Sequence, residues 1–205
     1  MRNLIDITTG VCVIAFLYVI FRYIQTEYLS HTQFNDFIHA FYIPASVRVF
    51  SSLLFGYWAA AGIALGLFLD IAYLHPENFI LSEIIVRMFQ AAISLCLSLL
   101  IWAKLSSKVT RLYNPIIDFR KIDAFDILQI CIIEAVINSV TAHIFYIWAP
   151  SVRLQFDLNY FAVMLFGDLT GSFLIFIIAN IMFSLLKRTP LFPRKHYDDT
   201  MNNQL

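Results

Sequence analysis

The sequence predicts an all-α fold: a polytopic transmembrane helical bundle of five to six spans with one re-entrant or broken helix. Three observations carry this expectation. Of the 205 residues, 60% are hydrophobic and only 14% charged, with a mean hydropathy of +0.74. Soluble domains have about 45–50% apolar and about 25% charged residues. The apolar residues come in blocks matching the roughly 20 needed for one helical crossing. The short alternating segments that mark a membrane β-barrel are missing. Residues 1–188 are expected to form one transmembrane domain, and the polar stretch 189–205 a short disordered cytoplasmic tail.

The first span is expected from Leu4 to Ile24, with Arg22 and Tyr23 at the interface. Asp6 interrupts its apolar run and no small-residue cleavage pattern follows, so it reads as a retained helix, not a signal peptide. From Gln25 to Ile43, the polar residues Glu27, His31, Gln33, Asn35, Asp36 and His39 interleave with Phe34, Phe37, Ile38, Phe41 and Tyr42. That mixture is too polar to cross lipid alone and suits an interfacial or re-entrant segment.

Pro44 fits the first turn of the next helix. Gly56 is expected to break it, leaving a short piece from Pro44 to Phe55 and a span from Tyr57 to Leu74. Gly62, Gly66 and Asp70 are spaced by four, hence on one helical face, where glycines admit a close neighbour. After His75-Pro76-Glu77-Asn78, a span runs from Phe79 to Ala103, and Asn114-Pro115 marks a turn in the loop beyond it. Asp123 or Asp126 can cap the following span, which ends near Trp148. Ala149-Pro150-Ser151 turns the chain into a last stretch, Tyr160 to Leu186, expected to break near Phe166-Gly167-Asp168.

Basic residues in short loops set orientation. Lys104, Lys108, Arg111, Arg120 and Lys121 mark one loop as cytoplasmic, and Lys187, Arg188, Arg194 and Lys195 do the same for the carboxyl tail. The loops at 75–78 and 149–157 hold only Arg153 and face outward. Five crossings with a re-entrant piece place the amino terminus outside; six place it inside. Leu54-Phe55-Gly56 and Leu165-Phe166-Gly167 echo each other in oppositely directed spans, as inverted repeats do. For so short a match chance is the better explanation.

Charged residues in lipid-length helices must face protein or water, since each costs about 2.5–3.5 kcal/mol at the bilayer centre. Glu83, Arg87, Gln90, Ser94 and Ser98 form one helical stripe, and Glu134, Asn138 and Thr141 a second. Glu83 and Arg87 can pair along the helix, whereas His143 lies nearly opposite Glu134. Asp168, Gly171 and Ser172 share a third face. One reading gathers Arg48, Asp70, Glu83, Arg87, Glu134 and Asp168, with Asn138, around a polar cavity. There the arginines would hold a small anionic ligand through paired hydrogen bonds. The other reading is interhelical pairing that fixes the bundle, with residues near span ends reaching to the interface.

Tyr57, Trp58, Trp102, Tyr146 and Trp148 are expected at the membrane interfaces. Cys12, Cys96 and Cys131 read as buried thiols, without disulfide or metal spacing. The five histidines are scattered, His39 and His75 being those nearest the outer or re-entrant region. H-E-x-x-H, G-x-S-x-G and P-loop patterns are missing, so no catalytic residue, metal or cofactor is assigned. With 14 basic and 14 acidic residues, nothing suggests nucleic acid.

Ile43-Pro44-Ala45-Ser46-Val47-Arg48, then Leu53-Leu54-Phe55-Gly56 and Gly62-Ile63-Ala64-Leu65-Gly66, resembles the P-A-G, L-L-F-G and G-I-x-x-G portion of bacterial membrane-associated sensor domains. These are multi-span input modules of diguanylate cyclases and histidine kinases. Gly167-Asp168-Leu169-Thr170-Gly171 is similar to a G-D-x-x-G motif that opens a helix late in that family. Ser46 stands where the family has glycine. The resemblance implies a bacterial inner-membrane location and a stand-alone input module that signals through a separate partner. The expectation is therefore a non-enzymatic, sensor-like or small-ligand-binding protein, in contact with membrane lipids and another membrane or cytoplasmic protein. Its alternatives are the substrate-binding subunit of a small-molecule transporter and a structural subunit of a larger membrane complex.

Overall fold

A computed structural model describes residues 2–35, 38–74, 81–105, 124–148 and 158–188. The loops bearing the orientation signal, His75, the Asn114-Pro115 turn, Asp123 and the tail 189–205 lie outside the described residues. The elements are α1 (Arg2–Tyr28), a 3-10 turn (Ser30–Thr32), β1 (Gln33–Asn35), β2 (Ile38–His39), α2 (Pro44–Phe55), α3 (Trp58–Leu69), a π turn (Asp70–Leu74), α4 (Leu81–Leu105), α5 (Ala124–Trp148) and α6 (Leu158–Arg188). The fold is thus helical, with one short antiparallel hairpin that sets Gln33 opposite His39.

Among the described residues, three helical stretches are long and apolar enough to cross a membrane: Ile5–Tyr28, Leu81–Leu105 and Ala124–Phe145. Their outward faces carry large apolar side chains, among them Phe16, Phe89 and Phe125, each more than 60% exposed. An apolar exterior of this kind suits lipid as its solvent.

At the centre stands a short helix, α2. Nine of the twelve residues of α2 are buried, so it is enclosed on nearly all sides by its neighbours. Val47 joins Ile14, Tyr18, Ala59, Ala60, Ile63, Ala91 and Leu95 in one apolar cluster. Val49 and Leu53 join Leu99, Trp102, Ile130 and Cys131 in a second. Gly56 ends α2 with φ 55°, ψ −132°, a conformation that only glycine adopts without strain, and α3 starts two residues on.

Gly62 and Gly66 perform the close approach their spacing predicts, and α1 is the partner. A Cβ at Gly62 would lie 2.7 Å from Ile14, and one at Gly66 2.9 Å from the Ala15 carbonyl oxygen. Gly66→Val is therefore expected to destabilise the bundle by about 1–3 kcal/mol, the usual range for overpacking. Thermal unfolding in detergent measures this, and an unchanged midpoint would refute the α1–α3 contact.

Three expectations are corrected. Trp102 is fully buried in the second cluster, not at an interface. Of the cysteines only Cys131 is buried: Cys12 is exposed on α1 and Cys96 half-buried. The expected break at Phe166-Gly167-Asp168 does not occur, nor does the motif there open a helix, since α6 runs unbroken from Leu158 to Arg188. Glycine at 167 serves packing, not chain reversal.

Candidate functional site

The site begins with how the segment between α1 and α2 is tied down. Gln25, fully buried on α1, donates from Nε2 to the Phe41 carbonyl at 2.9 Å. The same nitrogen lies 3.3 Å from Thr32 Oγ1 and 3.3 Å from His39 Nδ1. Its Oε1 accepts from the Ile43 amide at 3.0 Å. A single glutamine thus satisfies backbone and side-chain groups of a segment with little regular structure.

Helix α6 holds the same segment from the other side. The Tyr42 amide donates to the Gly167 carbonyl at 3.0 Å. The carbonyls of His39 and Tyr42 fill the space that a Cβ would take at Gly167 and Gly171. The Tyr42 ring is thereby placed between two guanidinium groups, 5.9 Å from Arg22 and 5.7 Å from Arg48. Its hydroxyl is 3.1 Å from that of Tyr18, and His39 stacks on it at 5.6 Å.

Four helices build the polar centre. Arg48 of α2 places Nε 2.9 Å from Glu134 Oε1 of α5, and Nη2 3.0 Å from Asp168 Oδ2 of α6. Asn138, one turn after Glu134, donates from Nδ2 to Asp168 Oδ2 at 2.8 Å. From α4, Gln90 Nε2 donates to Asn138 Oδ1 at 3.0 Å and to Thr141 Oγ1 at 3.1 Å. Ser94 Oγ adds a bond to Asn138 Oδ1 at 3.4 Å. All of these side chains are buried. A cavity of about 40 Å³ lies against the network, lined by His39, Tyr42, Arg48, Gln90, Asn138, Met164 and Asp168.

Of the residues expected around one cavity, Arg48, Glu134, Asn138 and Asp168 do meet. Asp70 does not join them: its Oδ2 pairs with Arg22 Nε at 3.0 Å. Arg22 is therefore an ion-pair partner of Asp70. Glu83 is buried at the start of α4, and Arg87 is half-buried one turn on. The two arginines that approach each other are Arg22 and Arg48, across Tyr42, and each is already engaged by carboxylate. His143 faces Ser139 and Phe161, away from Glu134, as its spacing implies.

Gln25 and Tyr42 escape a sequence reading. Both sit in or beside a stretch where polar and aromatic residues alternate without a period, and only the fold selects these two. Gln25 does carry a signal: it is the residue immediately after the expected end of the first span, within reach of the segment that follows.

His39 belongs to the hairpin, outside the spanning helices. Burial, and after it the Arg22 guanidinium, pushes its imidazole down to about 4. In an unfolded chain it titrates near about 6.5. The unfolded state therefore binds more protons between those values, so stability is expected to fall as pH drops from about 6.5 toward 4. Unfolding midpoints across that window check the slope, and His39→Gln should flatten it.

No family model matches the chain, and no curated protein and no solved structure is significantly similar to it. Fold and site together define a helical protein with membrane-length apolar helices and a buried ion-pair network at its centre.

Proposed function

We propose that the chain is a non-enzymatic, multi-span membrane protein, sensor-like or small-ligand-binding, which acts with a partner protein and holds its ligand at the Arg48 centre. The observation that carries this reading is the buried Arg48–Glu134–Asp168 network beside a cavity. Ionised groups gathered in an apolar bundle are costly, and membrane proteins keep them chiefly where they act on ligands, ions or protons. The resemblance to bacterial sensor input domains favours an inner-membrane location, and the loop charges favour a cytoplasmic carboxyl tail.

On this reading α1, α3, α4, α5 and α6 cross, five spans in all. At twelve residues, α2 is about 18 Å long, too short for a hydrocarbon core of about 30 Å, whereas α3, also twelve residues, is lengthened by the π turn Asp70–Leu74. Helix α2 serves as the descending half of a re-entrant loop, reached through the hairpin. The helix break at Gly56 beside a buried polar centre also favours a second reading, the binding subunit of a small-molecule transporter.

The test is native mass spectrometry on the full chain extracted with its own membrane. A partner in fixed ratio is expected, lost when Met164→Trp fills the cavity, which itself has room for a water-sized ligand only. A bare polypeptide, or an identical complex in that variant, would overturn the proposal. Uptake by vesicles carrying the partner would favour the transport reading over the sensor one.

A further inference from the structure

The charge count at the polar centre does not close. Arg48 contributes +1, Glu134 −1 and Asp168 −1, leaving −1 among three side chains at most 5% exposed. Among the described residues whose contacts reach the centre, none makes up the difference. From α4, Gln90 and Ser94 face the centre and are neutral. From α5, Asn138, Thr141 and the buried Cys131 are neutral as thiol, amide and hydroxyl. From the hairpin, His39 is held uncharged by its burial, and Tyr42 turns its hydroxyl to Tyr18. From α1, the charge of Arg22 is matched by Asp70.

An uncompensated charge costs several kcal/mol away from water. Two further observations say where compensation goes. Glu134 Oε1 and Arg48 Nε are both fully buried and have no hydrogen-bond partner, so at 2.9 Å they are joined by charge alone. The cavity against Asp168 has a volume of about 40 Å³, room for one species of water size. An anion entering it would meet the Asp168 carboxylate, which already pairs with Arg48 Nη2.

We propose that the polar centre binds one small positive charge, a proton held by the Glu134–Asp168 pair or a water-sized monocation in the cavity against Asp168 and Asn138, and not the anion that its arginine suggests. The inference rests on the polar centre being the ligand site. In the proton form, one carboxylate becomes a neutral acid while the other keeps its pairing with Arg48. In the monocation form, both carboxylates stay ionised and the ion occupies the cavity. Either way the ligand restores neutrality, so neutralising one acid by mutation mimics its binding. Neutralising the arginine does the reverse.

The experiment uses the full chain in lipid nanodiscs, with His39→Gln as background so that the imidazole contributes no titration. Infrared difference spectra seek a protonated carboxylic band, and unfolding midpoints are compared in choline, sodium and ammonium chloride at one ionic strength. A carboxylic band that disappears in Glu134→Gln or Asp168→Asn, with equal midpoints in the three salts, identifies the proton. A higher midpoint in sodium or ammonium than in choline, without the band and lost in the same variants, identifies the monocation. No band and equal midpoints, or stabilisation by acetate over chloride, overturn the proposal. Because the wild-type pair is read directly, failure of a variant to fold does not remove the test. If Met164→Trp keeps the native complex, the site assignment itself fails. If the complex is lost in that variant but no positive charge is found, only the charge inference fails.

Discussion

Arg48→Met is expected to lower the unfolding free energy by about 3–5 kcal/mol, the range for removing one member of a buried ion pair. The loss comes less from the missing bonds than from what they leave behind. Glu134 and Asp168 would then face each other as two carboxylates without a cation, both sealed from water. Asp168→Asn should cost much less, because the remaining Arg48–Glu134 pair is neutral and an amide can still accept from Asn138. Combining the two substitutions should recover part of the Arg48→Met loss. Chemical unfolding in detergent micelles measures all three. A loss below about 1 kcal/mol for Arg48→Met would mean that the network is open to water.

The second large effect is expected on α6. At Gly171 a Cβ would overlap the backbone carbonyl of Tyr42, and at Gly167 that of His39. Backbone cannot swing aside as a side-chain tip does, so Gly171→Leu should do more than overpack. It should push the hairpin segment off α6 and break the Tyr42–Gly167 hydrogen bond. The expected loss is at the upper end of the overpacking range, about 3 kcal/mol. A specific readout is a His39→Cys probe in a background with Cys12, Cys96 and Cys131 changed to serine. His39 is 7% exposed, so the probe should resist labelling until Gly171→Leu is added. Equal labelling rates with and without that change would show that α6 does not hold the segment.

Both effects were partly legible from residue spacing. A charge or amide in an apolar run has nowhere favourable to go but inward, so the stripes on α4 and α5 predicted buried faces. Gln90, Ser94 and Ser98 lie there, as do Glu134, Asn138 and Thr141. Glycines four apart promised a close neighbour and found α1. Gly56 promised a break and makes one. Spacing on one helix is silent about which helix stands opposite, and there the expectations diverged from the fold. Asp70 was grouped with Arg48 but meets Arg22. Trp102 was placed at an interface because tryptophan favours that layer, yet it fills the space between α2 and α5. The Phe-Gly pair at 166–167 looked like the break at 55–56, but a glycine's use depends on what approaches it. At Gly56 the chain itself turns, while at Gly167 another strand of backbone arrives.

Composition and periodicity alone determined that this protein is helical, apolar on its outside, and polar along a few inward stripes. Those are properties of single segments, set by the free energy of moving side chains and peptide groups out of water. Tertiary structure decided the partners: which acid takes which arginine, which glycines receive the hairpin, and that the short helix α2 lies at the centre. Such choices depend on distances between residues up to 120 positions apart, Arg48 to Asp168 among them. Local energetics assigns no value to those distances until the chain has folded.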